Sequence, residues 1–147
     1  MDLKTTLQSD LQDAMRHGDE IRKSTLRMAL TSFKLAEVEK GIQMDEPAYL
    51  AIIHKEIKAR RESIADAEKA KRPDLIHQAE QEIVILQGYL PAALSQEELE
   101  ALVKTAIAEV EATSVREMGL VMKVLMPRLQ GRATGDQASQ VVRKLLQ

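Results

Sequence analysis

Apolar residues in this chain recur every three or four positions, and no stretch of β-branched residues alternates with period two. That spacing lines up side chains along one stripe of an α-helix and gives a strand no face to bury, so the pattern constrains the fold to all-α. Leu3, Leu7, Leu11 and Ala14 trace the first stripe, which Gly18 ends. Asp19 is placed to cap a second helix with two apolar sets: Leu26, Leu30 and Phe33, and, offset around it, Ile21, Met28 and Leu35. Two stripes predict burial against more than one neighbour. Gly41 stops this helix, and Asp45 with Pro47 opens a third, whose seam is Leu50, Ile53, Ile57 and Ile64. Pro73 opens a fourth, with Ile76, Ala79, Ile83 and Leu86 inward.

"GYLPAALS" then interrupts the periodicity, and Gly88 and Pro91 mark a break. Ser95 with Glu98, and Ser114 with Glu117, have the spacing of capping boxes. The helices that follow present Leu99, Leu102, Val103 and Ile107, then Met118, Val121, Leu125 and Leu129. Gly131 fits the second one's C-terminal cap, and a last helix carries Val141, Val142, Leu145 and Leu146. The expected organisation is an N-terminal bundle of about four helices over residues 1–90 and a three-helix domain over residues 95–147. Met118, Met122 and Met126, four apart, read as core filler.

Composition excludes more than it assigns. Of 147 residues, 44% are hydrophobic, enough to build a core, and the formal net charge is −2, so any nucleic-acid binding must come from a local patch. The absence of cysteine removes disulfides, thiolate metal sites and thiol nucleophiles, and suits a reducing cytosol, so a cytoplasmic location is expected. "MDLKTTLQSDLQDAM" has no apolar signal-peptide core, and the longest aliphatic run, "IVIL" at 83–86, is far short of a membrane span. Phe33, Tyr49 and Tyr89 are the only aromatics, too few for a base-stacking platform. No G-x-S-x-G, glycine-rich phosphate loop or H-E-x-x-H is present, so no catalytic residue, metal or cofactor is assigned. Asp74, His77 and Glu80, three apart, and the mixed run "KEIKARRESIADAEKAKR" at 55–72 both read as solvated helix faces. In the second, Lys58, Arg61 and Lys69 form an alternative phosphate-facing strip.

The C-terminal part is more telling. Ser95 to Glu117 holds six acids and two bases, whereas Met118 to Gln147 holds one acid, Asp136, and five bases. The bases gather around "MKVLMPRLQGRATGD", where Pro127 and Gly131 loosen the backbone. Complementing the helix macrodipole accounts for Arg128 and Arg143. The competing reading is an RNA-backbone site made by Lys123, Arg128, Gly131, Arg132, Arg143 and Lys144, which would read the shape of a folded RNA.

"EIVILQGYLPAALSQEEL" and "MGLVMKVLMPRLQGRATG", with "LQSDLQDAMRHGDEIRKSTLRMAL" near the start, resemble the GatB/YqeY family along the whole chain. Gly119, Val121, Met122, Met126, Pro127, Gly131, Arg132, Ala133 and Gly135 match that family's C-terminal pattern. Thr134, Asp136 and Ser139 depart from it and make the turn less basic. The resemblance implies a helical bundle followed by the small domain that also forms the tail of the B subunit of the glutamine-dependent aspartyl/glutamyl-tRNA amidotransferase, where it touches tRNA. It associates the chain with carbon–nitrogen ligase activity using glutamine as amide donor, an activity of the full amidotransferase. The resulting expectation is a non-catalytic, monomeric, tRNA-associated adaptor whose partner is tRNA or an aminoacyl-tRNA-processing protein, with no sequence-specific reading of DNA. The alternatives are an accessory component of glutamine-dependent amide transfer and a protein–protein adaptor.

Overall fold

The computed structural model describes residues 2–41 and 44–147. Among them are seven α-helices and no strand, as the periodicity requires. The helices are α1 (Leu3–His17), α2 (Glu20–Lys40), α3 (Glu46–Lys69), α4 (Pro73–Gln87), α5 (Gln96–Val110), α6 (Met118–Leu129) and α7 (Gly135–Leu146), with a 3-10 turn at Val115–Glu117. They fall into two compact units, Met1–Leu90 and Pro91–Gln147. No helix among the described residues is long and apolar enough to cross a membrane.

In the first unit, Asp19 and Asp45 accept hydrogen bonds from Arg22 N and Ala48 N and cap α2 and α3. Gly18 and Gly41 end α1 and α2 in the left-handed region, at φ 68° and 73°, where a β-carbon would be strained. Leu7, Leu26, Phe33, Ile53 and Leu86 are fully enclosed, and the Phe33 and Tyr49 rings meet at 4.6 Å. The offset stripe of α2 differs from expectation. The helix packs against α1, α3 and α4, but Met28 and Leu35 remain exposed.

Polar side chains are also built into this unit. Arg60 on α3, 6% exposed, donates from Nε to Glu82 on α4 (2.8 Å) and from Nη1 to Glu56 (2.8 Å). Ser32 on α2 donates to Glu56 at 2.7 Å and ties a third helix into the cluster. Elsewhere, Glu37 on α2 takes hydrogen bonds from Tyr49 on α3 and from Lys4 on α1. Tyr89 donates to Asp10 on α1 at 2.6 Å, and Arg22 lies 3.5 Å from the same carboxylate. A buried charge without a partner is costly, so the Arg60 cluster favours one helix arrangement over others, and the two half-buried clusters add weaker ties.

The second unit has a core without such clusters, formed by Leu99, Val103, Val121, Leu125, Leu129 and Val142. The Ser95–Glu98 capping box is present at the start of α5. The Ser114–Glu117 box is not: Ser114 makes no capping bond, and Glu117 instead accepts from Thr113 N and Oγ1, both at 3.1 Å. These bonds close the loop ahead of the 3-10 turn at Val115–Glu117, after which α6 starts. A box not read from the sequence, Thr134 with Gln137, opens α7. Met118 and Met122 pack on the core, but Met126 is 45% exposed.

Candidate nucleic-acid interface on the C-terminal unit

The loosening around Pro127 comes from two consecutive left-handed residues. Pro127 lies in the last turn of α6, where it withholds one backbone donor. The cap itself is Gln130, at φ 52°, one residue before the glycine expected to do this, and Gly131 follows at φ 74°. This doubled reversal carries the chain into Arg132, Ala133 and the Thr134 cap of α7.

Two of the cations singled out at this turn are engaged within the unit. Arg128 grips Glu109 on α5 through both terminal nitrogens, at 3.1 and 2.6 Å. This bidentate pair lowers the Glu109 pKa and raises that of Arg128. Arg132 donates from Nε to the Ala92 carbonyl at 2.8 Å and lies 3.6 Å from Glu98. Its own carbonyl accepts from Leu94 N at 2.9 Å, so Arg132 pins the segment before α5 to the turn after α6. The Glu98 carboxyl is held below its usual range by the backbone and side chain of Ser95, and then by Arg132. Arg128 is thus more than a macrodipole partner, and Arg132 has a structural task that its position beyond α6 did not suggest. Their pairing was not readable because the acids lie on α5, whereas Arg128 lies in the last turn of α6 and Arg132 just beyond it.

Lys123, Arg143 and Lys144 differ. All three are exposed, and among the described residues they form no ion pair. Lys123 projects from α6, flanked on the same side by the exposed Leu120, and Arg143 and Lys144 occupy the last turn of α7. Gly131 is half-buried between the two engaged arginines. Beside the turn, an open groove of about 400 Å³ is floored by Leu94, Ala101 and Leu102, with Glu98, Arg128 and Arg132 along it. Its charges largely cancel, while those of Lys123, Arg143 and Lys144 do not.

Another cleft, of about 470 Å³, lies in the first unit beside the starts of α2 and α4, with Ile21, Ser24, Asp74 and His77 on its walls. Asp74 is committed there to Arg72, at 3.1 and 2.9 Å. Among the described residues no group of three histidines or acids is placed to hold a metal ion. Lys58, Arg61 and Lys69 are exposed on α3, whereas Arg60 of the same run turns inward.

A family model described as "Yqey-like protein" matches residues 4–146. Similar curated proteins include those of Pyrenophora tritici-repentis, Lachancea thermotolerans and Kluyveromyces lactis, each named "Altered inheritance of mitochondria protein 41, mitochondrial". They are 32%, 34% and 37% identical over 89%, 78% and 71% of this chain. The matches span 73%, 63% and 58% of those proteins, so for two of them the chain covers less than two thirds of the relative. These names overturn the cytoplasmic expectation. A lack of cysteine fits any reducing compartment and does not single out the cytosol.

Proposed function

Because this chain belongs to the YqeY-like protein family, we propose that it is a non-catalytic binding module for folded RNA of the tRNA type, contacting phosphates through its C-terminal unit. The observation that carries this reading is the unequal use of cations. Arg128 and Arg132 are matched by Glu109 and Glu98, and Lys123, Arg143 and Lys144 are left unmatched and exposed on α6 and α7. Unpaired, hydrated cations on a rigid helical scaffold can neutralise phosphates without first breaking an internal pair. Arg128 and Arg132 then serve to fix the turn between the two helices. In amide transfer on aminoacyl-tRNA, such a module would hold the RNA and leave the chemistry to a partner. The apolar floor of the groove supports a second reading, a protein-binding adaptor.

Salt dependence tests the proposal. Labelled tRNA is titrated with the wild type and with the Lys123→Ala/Arg143→Ala/Lys144→Ala variant at several salt concentrations. Each lost phosphate contact lowers the log–log slope by about 0.9, so the triple variant should lose roughly 2.7. Absence of wild-type binding at low salt, or an unchanged slope in the variant, rejects the RNA reading.

A further inference from the structure

The offset apolar stripe of α2 does not contribute to the core, and one of its residues touches the most deeply buried charge in the protein. Met28 is 53% exposed, yet its sulfur lies 3.8 Å from Nη2 of Arg60. The guanidinium is almost completely enclosed, with Nε committed to Glu82 and Nη1 to Glu56 and to the Glu56 carbonyl. Among the described residues, the thioether of Met28 is the only hydrogen-bond acceptor for Nη2. A thioether is a weak acceptor, so one nitrogen of a buried cation is poorly satisfied.

We propose that Met28 is an oxidation site whose sulfoxide is captured by Arg60. The oxidant is a small hydroperoxide. Its O–O bond breaks, one oxygen forms a bond to the Met28 sulfur, and with hydrogen peroxide the other oxygen leaves with both protons as water. The sulfur loses two electrons and the peroxide gains them. The product replaces a weak acceptor with a strong one beside Nη2, where an oxygen turned toward the guanidinium falls within hydrogen-bond reach, about 3 Å. The usual consequence of methionine oxidation, a polar group placed among apolar neighbours, is reversed here because the new oxygen meets an under-satisfied donor. The same step makes polar the exposed stripe that Met28 shares with Leu35 and Val38. It therefore changes the surface of α2 while tightening the link between α2 and α3.

The protein carries its own controls. Met15 is 47% exposed, with its sulfur 3.6 Å from Arg27, but that arginine is exposed on the surface rather than enclosed. Met126 is 45% exposed and lies against Gly135, and among the described residues no cation donates to its sulfur. Exposure alone would make the three equivalent.

The full chain is oxidised with hydrogen peroxide, and each sulfoxide is located and quantified by peptide mass spectrometry. Its return to the thioether by methionine sulfoxide reductases of both stereospecificities is then followed. Capture by a buried cation should slow reduction at Met28 about tenfold relative to Met15 and Met126, the factor expected for one charge-assisted hydrogen bond. Met28→Leu, oxidised in parallel, isolates the effect on folding: oxidation should lower the melting temperature less in the wild type than in this variant. Met28→Gln, which supplies a permanent amide oxygen, should melt above Met28→Leu. Equal reduction rates at the three methionines, or an equal or larger oxidative loss of melting temperature in the wild type, overturn the proposal.

Discussion

The two units solve the same packing problem with different side chains. The first encloses Arg60 with Glu56 and Glu82 between its helices and adds half-buried links, Glu37 with Lys4 and Tyr49, and Asp10 with Tyr89. The second keeps an apolar core and puts its ion pairs, Arg128–Glu109 and Arg132–Glu98, at the surface. Long helices that present apolar residues over wide arcs can slide or rotate against one another at small cost. Buried polar partners penalise each wrong register, because a displaced charge has no water to replace its partner. In a short three-helix unit, the loops and capping boxes already limit the arrangement. Its ion pairs therefore lie at the surface and are not needed to fix the register.

The largest expected difference between the units comes from removing Arg60. Arg60→Ala leaves Glu56 and Glu82 together without their cation and should cost about 3–5 kcal/mol, measured by chemical denaturation followed by circular dichroism. A loss below about 1 kcal/mol would mean that the cluster is hydrated and does not set the helix arrangement.

Alkaline titration separates the units next. Both tyrosines lie in the first unit, and each has its phenol pushed up to about 12, Tyr49 by burial and then by Glu37, and Tyr89 by burial and then by Asp10. A phenol whose folded pKa exceeds its unfolded value of about 10 favours the folded state fully below pH 10. That contribution is lost as pH rises from about 10 toward 12. Phenolate absorbance should therefore appear late and together with unfolding of the first unit. The second unit, which has no tyrosine, should not follow that transition. Ionisation near pH 10 without unfolding would contradict the buried placement of Tyr49 and the half-buried placement of Tyr89.

A smaller effect is expected at the start of α7. Thr134→Ala removes the side-chain oxygen that accepts from Gln137 N and should cost about 1 kcal/mol, read as a shift in the denaturation midpoint of the second unit. The smallest belongs to Glu109→Ala. It releases Arg128, which lies at the surface, so the melting temperature should stay within experimental scatter while affinity for tRNA rises. A fall in affinity would show that the pair helps form the binding surface.

These contrasts mark where the sequence is informative. Helix starts and stops were legible at Asp19, Asp45, Ser95, Gly18 and Gly41, because a cap depends on residues within one turn. The same local pattern misled at Ser114, where Glu117 serves Thr113 in the preceding loop, and at Gly131, where Gln130 takes the cap. Arg60 could not be distinguished from Arg61 within a run of alternating charge: its partner Glu82 is on another helix, and only the packing of α3 on α4 turns one guanidinium inward. Of the C-terminal cations, the charge asymmetry was visible in composition. Which of them α5 occupies was not, since that depends on how its helix faces are oriented.

The central claim is that the unmatched cations of α6 and α7 form the RNA-binding surface. Its most direct test is heteronuclear NMR of the full chain, titrated with a folded tRNA at low salt. The account predicts progressive shift changes at the backbone amides around Lys123, Arg143 and Lys144, with α1–α4 unperturbed and the Arg128–Glu109 pair intact. Perturbations centred on α2 or α4, or none anywhere, would contradict it.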